Sequence, residues 1–154
     1  MRAYLSIGSN IRPHRNIPRA LRKIKKTFRA CKISSIYETA PVGPVSGKKE
    51  FWNLALQIET RLSREKLRST LKRLELELGR LPRSKFAPRP IDIDLILYGN
   101  WKRKGFERFA FVLFPLAEIA PRLKPPGKKR SLSGLVRGFS DPGQEIRKIK
   151  KAAL

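Results

Sequence analysis

Phe51-Trp52-Asn53-Leu54-Ala55-Leu56-Gln57-Ile58-Glu59-Thr60 alternates with the period of a strand. Trp52, Leu54, Leu56 and Ile58 project to one face, while Asn53, Gln57 and Glu59 project to the other. Downstream, Ser63 is placed to cap a helix in which Leu67, Leu71, Leu74 and Leu78 form one apolar stripe, and Gly79 is its stop. Residues 91–98 read as another strand, turned by Gly99-Asn100. Upstream, residues 32–37 read as a strand that enters the turn-rich loop Pro41-Val42-Gly43-Pro44. Before it, residues 3–7 form a strand closed by the turn Gly8-Ser9-Asn10. A helix follows, capped by Asn16 with Pro18 in its first turn, and Ile17, Leu21, Ile24 and Phe28 recur on one of its faces. The order is βαββαβ, with no helix between the second and third strands. It predicts an α+β fold, a ferredoxin-like sandwich whose antiparallel sheet has its helices packed on one face.

The length of 154 residues suits one domain, 1–154, in which residues 122–154 form a basic C-terminal extension. Hydrophobic residues make up 40% of the chain, which excludes a disordered basic tail. Lys and Arg total 36 against 12 acidic residues, a net charge of +24 that draws the chain toward polyanions: nucleic acid, anionic membrane or phosphorylated small molecules. Cys31, the single cysteine, excludes an internal disulfide and a cysteine-based zinc cluster. No apolar run reaches the ~18 residues of a membrane span, so a cytoplasmic protein is expected.

Two of the three aspartates fall in Ile91-Asp92-Ile93-Asp94-Leu95, within an otherwise apolar strand. At i, i+2 both carboxylates leave one face, roughly 6.5 to 7 Å apart. Like charges in a half-buried strand repel and resist desolvation, an arrangement relieved by a cation between them. Hard oxygen donors of this kind suit Mg²⁺, which completes its shell with water and phosphate oxygens. A solvent-facing strand edge would also carry Asp, but Arg80, Arg83, Lys85 and Arg89 precede the pair in a Pro-containing stretch. Guanidinium groups grip phosphate bidentately, and metal plus arginine is the equipment of phosphoryl transfer. The Gly-x-x-x-x-Gly-Lys-Ser/Thr loop is absent, which excludes a P-loop enzyme. His14 has no second His or Cys partner and reads as a surface residue. Phe51 and Asn53 share a face and offer an aromatic ring and an amide to a planar heterocycle, whereas Trp52 points to the core.

Several segments together resemble the hydroxymethyl-dihydropterin pyrophosphokinase family of folate synthesis. They are Tyr4-Leu5-Ser6-Ile7-Gly8-Ser9-Asn10, residues 35–44, Phe51-Trp52-Asn53, residues 75–80, Ala87-Pro88-Arg89-Pro90-Ile91-Asp92-Ile93-Asp94, and Phe111-Val112-Leu113-Phe114-Pro115-Leu116. They cover most of the chain up to Pro121, and the Ala-Pro-Arg-x-Ile-Asp-x-Asp run is the most specific. The resemblance implies transfer of a diphosphoryl group from ATP to the hydroxymethyl oxygen of the pterin, releasing AMP. It further implies that Asp92 and Asp94 hold two Mg²⁺ ions and that Arg89 and Arg80 act on the triphosphate, with Arg83 a looser match. The pterin would lie between Phe51 and Phe111, hydrogen-bonded by Asn53 and by backbone in the stretch Thr39, Ala40, Pro41 and Val42. The expected partners are ATP and the reduced pterin, taken up by a monomer that makes no use of a membrane and meets nucleic acid only non-specifically.

The chain departs from the family after the Asp-x-Asp strand. A longer hairpin ending in a Pro-His pair is replaced by a short basic segment, residues 101–110, without histidine. Arg103, Lys104 and Arg108 are its candidate substitutes for ATP contact, and a catalytically weak relative is the variant of this reading. The competing reading is a basic RNA-binding domain of the same fold class. For it speaks Lys104-Gly105-Phe106-Glu107-Arg108-Phe109-Ala110-Phe111, which echoes an aromatic strand motif; against it, Glu107 and Arg108 occupy positions that such a motif gives to small and aromatic residues.

Overall fold

The computed structural model describes residues 1–40, 50–80 and 90–152. The chain runs through β1 (Arg2–Ser9), α1 (Pro13–Thr27), β2 (Arg29–Ile33), β3 (Ser35–Thr39), β4 (Phe51–Glu59), α2 (Arg64–Glu77) and β5 (Asp92–Tyr98). It continues with β6 (Trp101–Lys102), α3 (Ala110–Ile119), α4 (Leu132–Arg137) and β7 (Ile146–Lys151). Among the described residues seven strands form one antiparallel sheet in the order β6-β5-β1-β4-β3-β7, with β2 also paired to β4. The central order β5-β1-β4-β3 is the ferredoxin-like arrangement expected from βαββαβ, and the fold is α+β.

Local chemistry explains the elements. In α2 the Ser63 hydroxyl accepts from the Lys66 amide at 3.3 Å, and Gly79 leaves the helix at φ 97, a conformation a Cβ would strain. The first helix starts earlier than Asn16 suggests. Pro13 is at its first turn, Arg12 takes a left-handed φ of 40 before it, and the Asn16 amide donates back to the Ile11 carbonyl at 2.6 Å instead of capping. Pro18 therefore lies inside α1. The expected second strand divides at Ser34. Its buried hydroxyl accepts from the Ala55 amide at 2.8 Å, taking over a backbone ladder contact between β2 and β3. Likewise the supposed turn at Gly8-Ser9 is the end of β1, which pairs through Ser9 with Trp52.

One face of the sheet carries Ala3, Leu5, Ile7, Leu54, Leu56, Ile58, Ile93 and Leu95 and is covered by α1 and α2, whose Ile17, Leu21, Ile24, Leu67, Leu71 and Leu74 join the same core. The other face is covered too, which corrects the expectation of helices on a single face. Tyr4, Ala55, Ile96 and Leu97 pack there against α3 and α4 through Val112, Leu113, Leu116 and Leu132. The physical reason is a register shift between Tyr4 and Leu5 opposite β5, which turns both Ile96 and Leu97 to this side and enlarges its apolar area. Ala110–Ile119 is apolar nearly all round, as a helix buried on several sides must be.

The aromatic segment read as an RNA-binding strand is not a strand. Phe106–Arg108 form a 3₁₀ turn, Phe106 is 1% exposed in the second core, and Ala110 begins α3. The basic extension is also folded: β7 lies antiparallel to β3, with Tyr37 opposite Lys148 and Thr39 opposite Ile146. No helix among the described residues is long and apolar enough to cross a membrane.

Candidate functional site

The strand register assembles a row of polar groups on the α3 side of the sheet. Tyr37 pairs with Asn53, Asn53 with Gly8, and Gly8 with Asp92. One step along the strands, Ala55, Ser6 and Asp94 are neighbours in the same way. Asn53 and both aspartates therefore share one face near the Ser9 end of β1, and Asn53 and Asp92 are separated by two strand spacings, roughly 9.5 Å. Gly8 is required between them. A Cβ built on it would lie 2.6 Å from the Asn53 Oδ1, whose amide nitrogen donates to the Thr39 hydroxyl at 2.7 Å. Asn53 is 3% exposed, so its orientation is fixed from both ends.

Beside this row lies a cleft of about 480 Å³, lined in part by Lys72, Glu75, Arg80, Asp92, Asp94 and Arg103. Arg80 donates to Asp92 and stands 3.1 Å from Glu75 Oε2. Arg103 Nη1 lies 3.0 Å from Asp94 Oδ1. Glu75 is the pivot: its Oε1 accepts from the Ile93 amide at 2.6 Å, pinning β5 between its two aspartates. Burial pushes the Glu75 carboxyl up to about 7, opposed by the Ile93 amide and Arg80 and reinforced by Asp92 and Asp94. Asp94 is also held above the usual carboxylate range, first by burial and then by Asp92, with Arg103 opposing.

This donor set fits a divalent cation. Paired hard oxygens of like charge gain from a shared positive charge, and here two guanidinium groups already converge on them. Among the described residues no third His, Cys, Asp or Glu completes a metal cluster with them, so further coordination would come from water or phosphate.

Of the other expected site residues, Thr39 lies at the end of β3 beside Asn53, and Ala40 is exposed just beyond it. Phe51 opens β4 and Phe111 lies in the first turn of α3, both half-buried, with Phe111 5.6 Å from the Phe109 ring. Pro41, Val42, Arg83, Lys85 and Arg89 fall outside the described residues. Arg103 reaches the carboxylates, whereas the exposed Lys104 and Arg108 are not among the cleft's lining residues. The short turn after β5 is a small hairpin, Tyr98 facing Trp101, which delivers Arg103. Glu75 and Gly8 carried no assigned role in the sequence reading. Glu75 had a signal: it continues the row Leu67, Leu71 at i+4, where a carboxylate must be buried.

A family model described as 7,8-dihydro-6-hydroxymethylpterin-pyrophosphokinase (HPPK) matches residues 4–121. A 2-amino-4-hydroxy-6-hydroxymethyldihydropteridine pyrophosphokinase of Haemophilus influenzae is 34% identical over 152 residues, covering 90% of this chain and 93% of its own. One of the same name from Bacillus subtilis is 34% identical over 135 residues, 79% of this chain and 80% of its own. A mitochondrial folate synthesis bifunctional protein of Pisum sativum is 37% identical over 128 residues, which are 75% of this chain and 24% of that one.

Proposed function

The chain belongs to the 7,8-dihydro-6-hydroxymethylpterin-pyrophosphokinase family, and from that premise we propose that the Asn53–Gly8–Asp92 row and the adjoining arginine-lined cleft form its active site. The activity is ATP-dependent pyrophosphoryl transfer to hydroxymethyldihydropterin in folate biosynthesis. In the reaction the hydroxymethyl oxygen attacks the β-phosphorus of ATP and gives up its proton to solvent, the bond from that phosphorus to the α-phosphate oxygen breaks, and AMP leaves. The observation that carries the site assignment is the register itself, which sets an amide suited to a heterocycle and a carboxylate pair on one face of the sheet.

On this reading Asn53, oriented by Thr39, and backbone in the stretch 39–42 hydrogen-bond the pterin, and Phe51 and Phe111 bracket its ring. Asp92 and Asp94 would hold Mg²⁺, two ions by analogy with the family, whose charge neutralises the phosphates when bound. Arg80 is aimed by Glu75 and Asp92 and stabilises charge on the transferring group, as does Arg89 in the proposal. Arg103 supplies cationic contact on the nucleotide side, and Arg83, Lys104 and Arg108 are assigned only supporting charge there.

The test is AMP formation from ATP, measured with and without the reduced pterin and across a magnesium titration. AMP appears only with both substrates and the metal. Asp92→Asn and Asp94→Asn each abolish turnover while thermal melting shows a folded protein, since either change removes a metal ligand. Near wild-type turnover of either variant at ordinary magnesium removes the carboxylate assignment.

A further inference from the structure

The first 37 residues contain ten cationic side chains and no Asp or Glu. Six of the ten are in α1, and their arrangement is ordered. Arg15, Arg19, Arg22 and Lys26 follow each other at i, i+4, i+7 and i+11 and are all exposed. At 100° per residue they fall within about 60° of the helix circumference and extend about 16 Å along it. The buried residues Ile17, Ala20, Leu21 and Ile24 occupy the opposite side. Among the described residues the one α1 cation with a carboxylate in ion-pair range is Lys23, beside Glu77 of α2. Like charges at helical spacing weaken a helix, and α2, on the same sheet face, offsets its own cations with Glu65 beside Arg64 and Glu77 beside Arg73. The α1 row has no such relief, and it lies on the face of the sheet opposite Asn53, Asp92 and Asp94.

We propose that the exposed face of α1 is a docking surface for the phosphate backbone of a nucleic-acid duplex, with Arg15, Arg19, Arg22 and Lys26 as its contacts. Four long, flexible cationic side chains spread over about 16 Å of one helix face can reach several phosphates of a duplex backbone at once. None of the four positions, nor any exposed residue between them, is aromatic, so unpaired bases find no ring to stack on and the contact favoured is to backbone. The apolar side of α1 is committed to the core, which leaves no apolar face to enter a lipid surface. None of the four cations lines the cleft, and Asn53, Asp92 and Asp94 project to the other face of the sheet, so duplex and substrates bind together.

The experiment measures binding of a labelled mixed-sequence DNA duplex, its single strand and anionic phosphatidylserine vesicles to the full chain across a salt series. Four phosphate contacts give a slope of log affinity against log salt of about −3.6, a loss of about a hundredfold between 50 and 200 mM. Replacing Arg15, Arg19, Arg22 and Lys26 together by Gln, which keeps helix propensity, removes most of that slope and at least about tenfold in affinity at 0.1 M salt. A charge-matched control replaces the exposed Arg122, Lys124, Lys129 and Arg130 by Gln and retains duplex binding within about threefold. AMP formation and circular dichroism stay unchanged in both variants, which separates this surface from the active site and from misfolding. Equal losses in the two variants would show that net charge alone acts, and unchanged binding in the α1 variant would show that the row is not the contact. Either outcome overturns the proposal. So does tighter binding of the single strand or of the vesicles than of the duplex.

Discussion

Glu75 is 8% exposed, and its carboxyl titrates near 7 in the folded chain against 4.5 for an ordinary glutamate. The folded state then binds a proton more tightly than the unfolded state, so this group's contribution to stability is full below about 4.5 and is lost as pH rises toward about 7. Glu75→Gln is neutral throughout and flattens the slope, which urea midpoints at about pH 5 and about pH 8 will show. An unchanged slope in the variant assigns the pH dependence to other groups. Gly8 offers a second test. In Gly8→Ala the new methyl meets the Asn53 carbonyl while Thr39 still holds the amide nitrogen, so the side chain must leave its position. A displacement of about 1 Å costs up to a hundredfold, and kcat/KM for the pterin is expected to drop by about ten- to a hundredfold in a protein that still melts cooperatively. The aspartates were legible in the sequence because two of three sit in an apolar strand. Gly8 was not, because nothing before the register shows which side chain crosses it.

The elements divide in the same way. β4 and α2 were legible because alternation, the Ser63 cap and the Gly79 stop are local signals. β7 was not. Ile-Arg-Lys-Ile-Lys-Lys reads as a solvated charge run, and its partner β3 lies more than a hundred residues earlier in the chain. What recruits it is tertiary: Lys148 stands 3.3 Å from Glu118, Arg147 2.7 Å from Glu38, and Lys150 lies 5.0 Å from the centre of the Trp52 ring. Glu118 in turn accepts from the Ser35 hydroxyl at 2.7 Å, tying α3 to the start of β3. Ending the chain before Ile146 opens the β3 edge and releases these contacts. We expect a melting temperature lower by at least about 5 °C and concentration-dependent light scattering from the unpaired edge. Unchanged melting and scattering would mean that β7 only lies along a sheet already stable without it. The cover of the second face was hidden for a related reason: Pro115 interrupts the helical pattern of α3, and the shift that turns Ile96 and Leu97 together exists only in the paired sheet.

At the scale of the whole molecule, a net charge of +24 sets how the two substrates respond to salt. ATP is held in the proposed site by guanidinium groups that are partly open to solvent, Arg103 among them, and such contacts are screened over ~10 Å at 0.1 M. In the same proposed site the pterin is held by rings and by a buried amide. Calorimetric titrations at low and high KCl, with saturating magnesium, should show ATP affinity falling steeply while pterin affinity changes little. Equal sensitivity of the two ligands would place the nucleotide on contacts other than these. The row from Asn53 across Gly8 to Asp92 carries this one step further. Its span of roughly 9.5 Å is two inter-strand repeats, a length fixed by backbone hydrogen bonding. The sheet is thus a gauge. In the proposed site that backbone interval is common to every variant that keeps this pairing, so point substitutions adjust the reach across it only by the length of the side chains at its two ends.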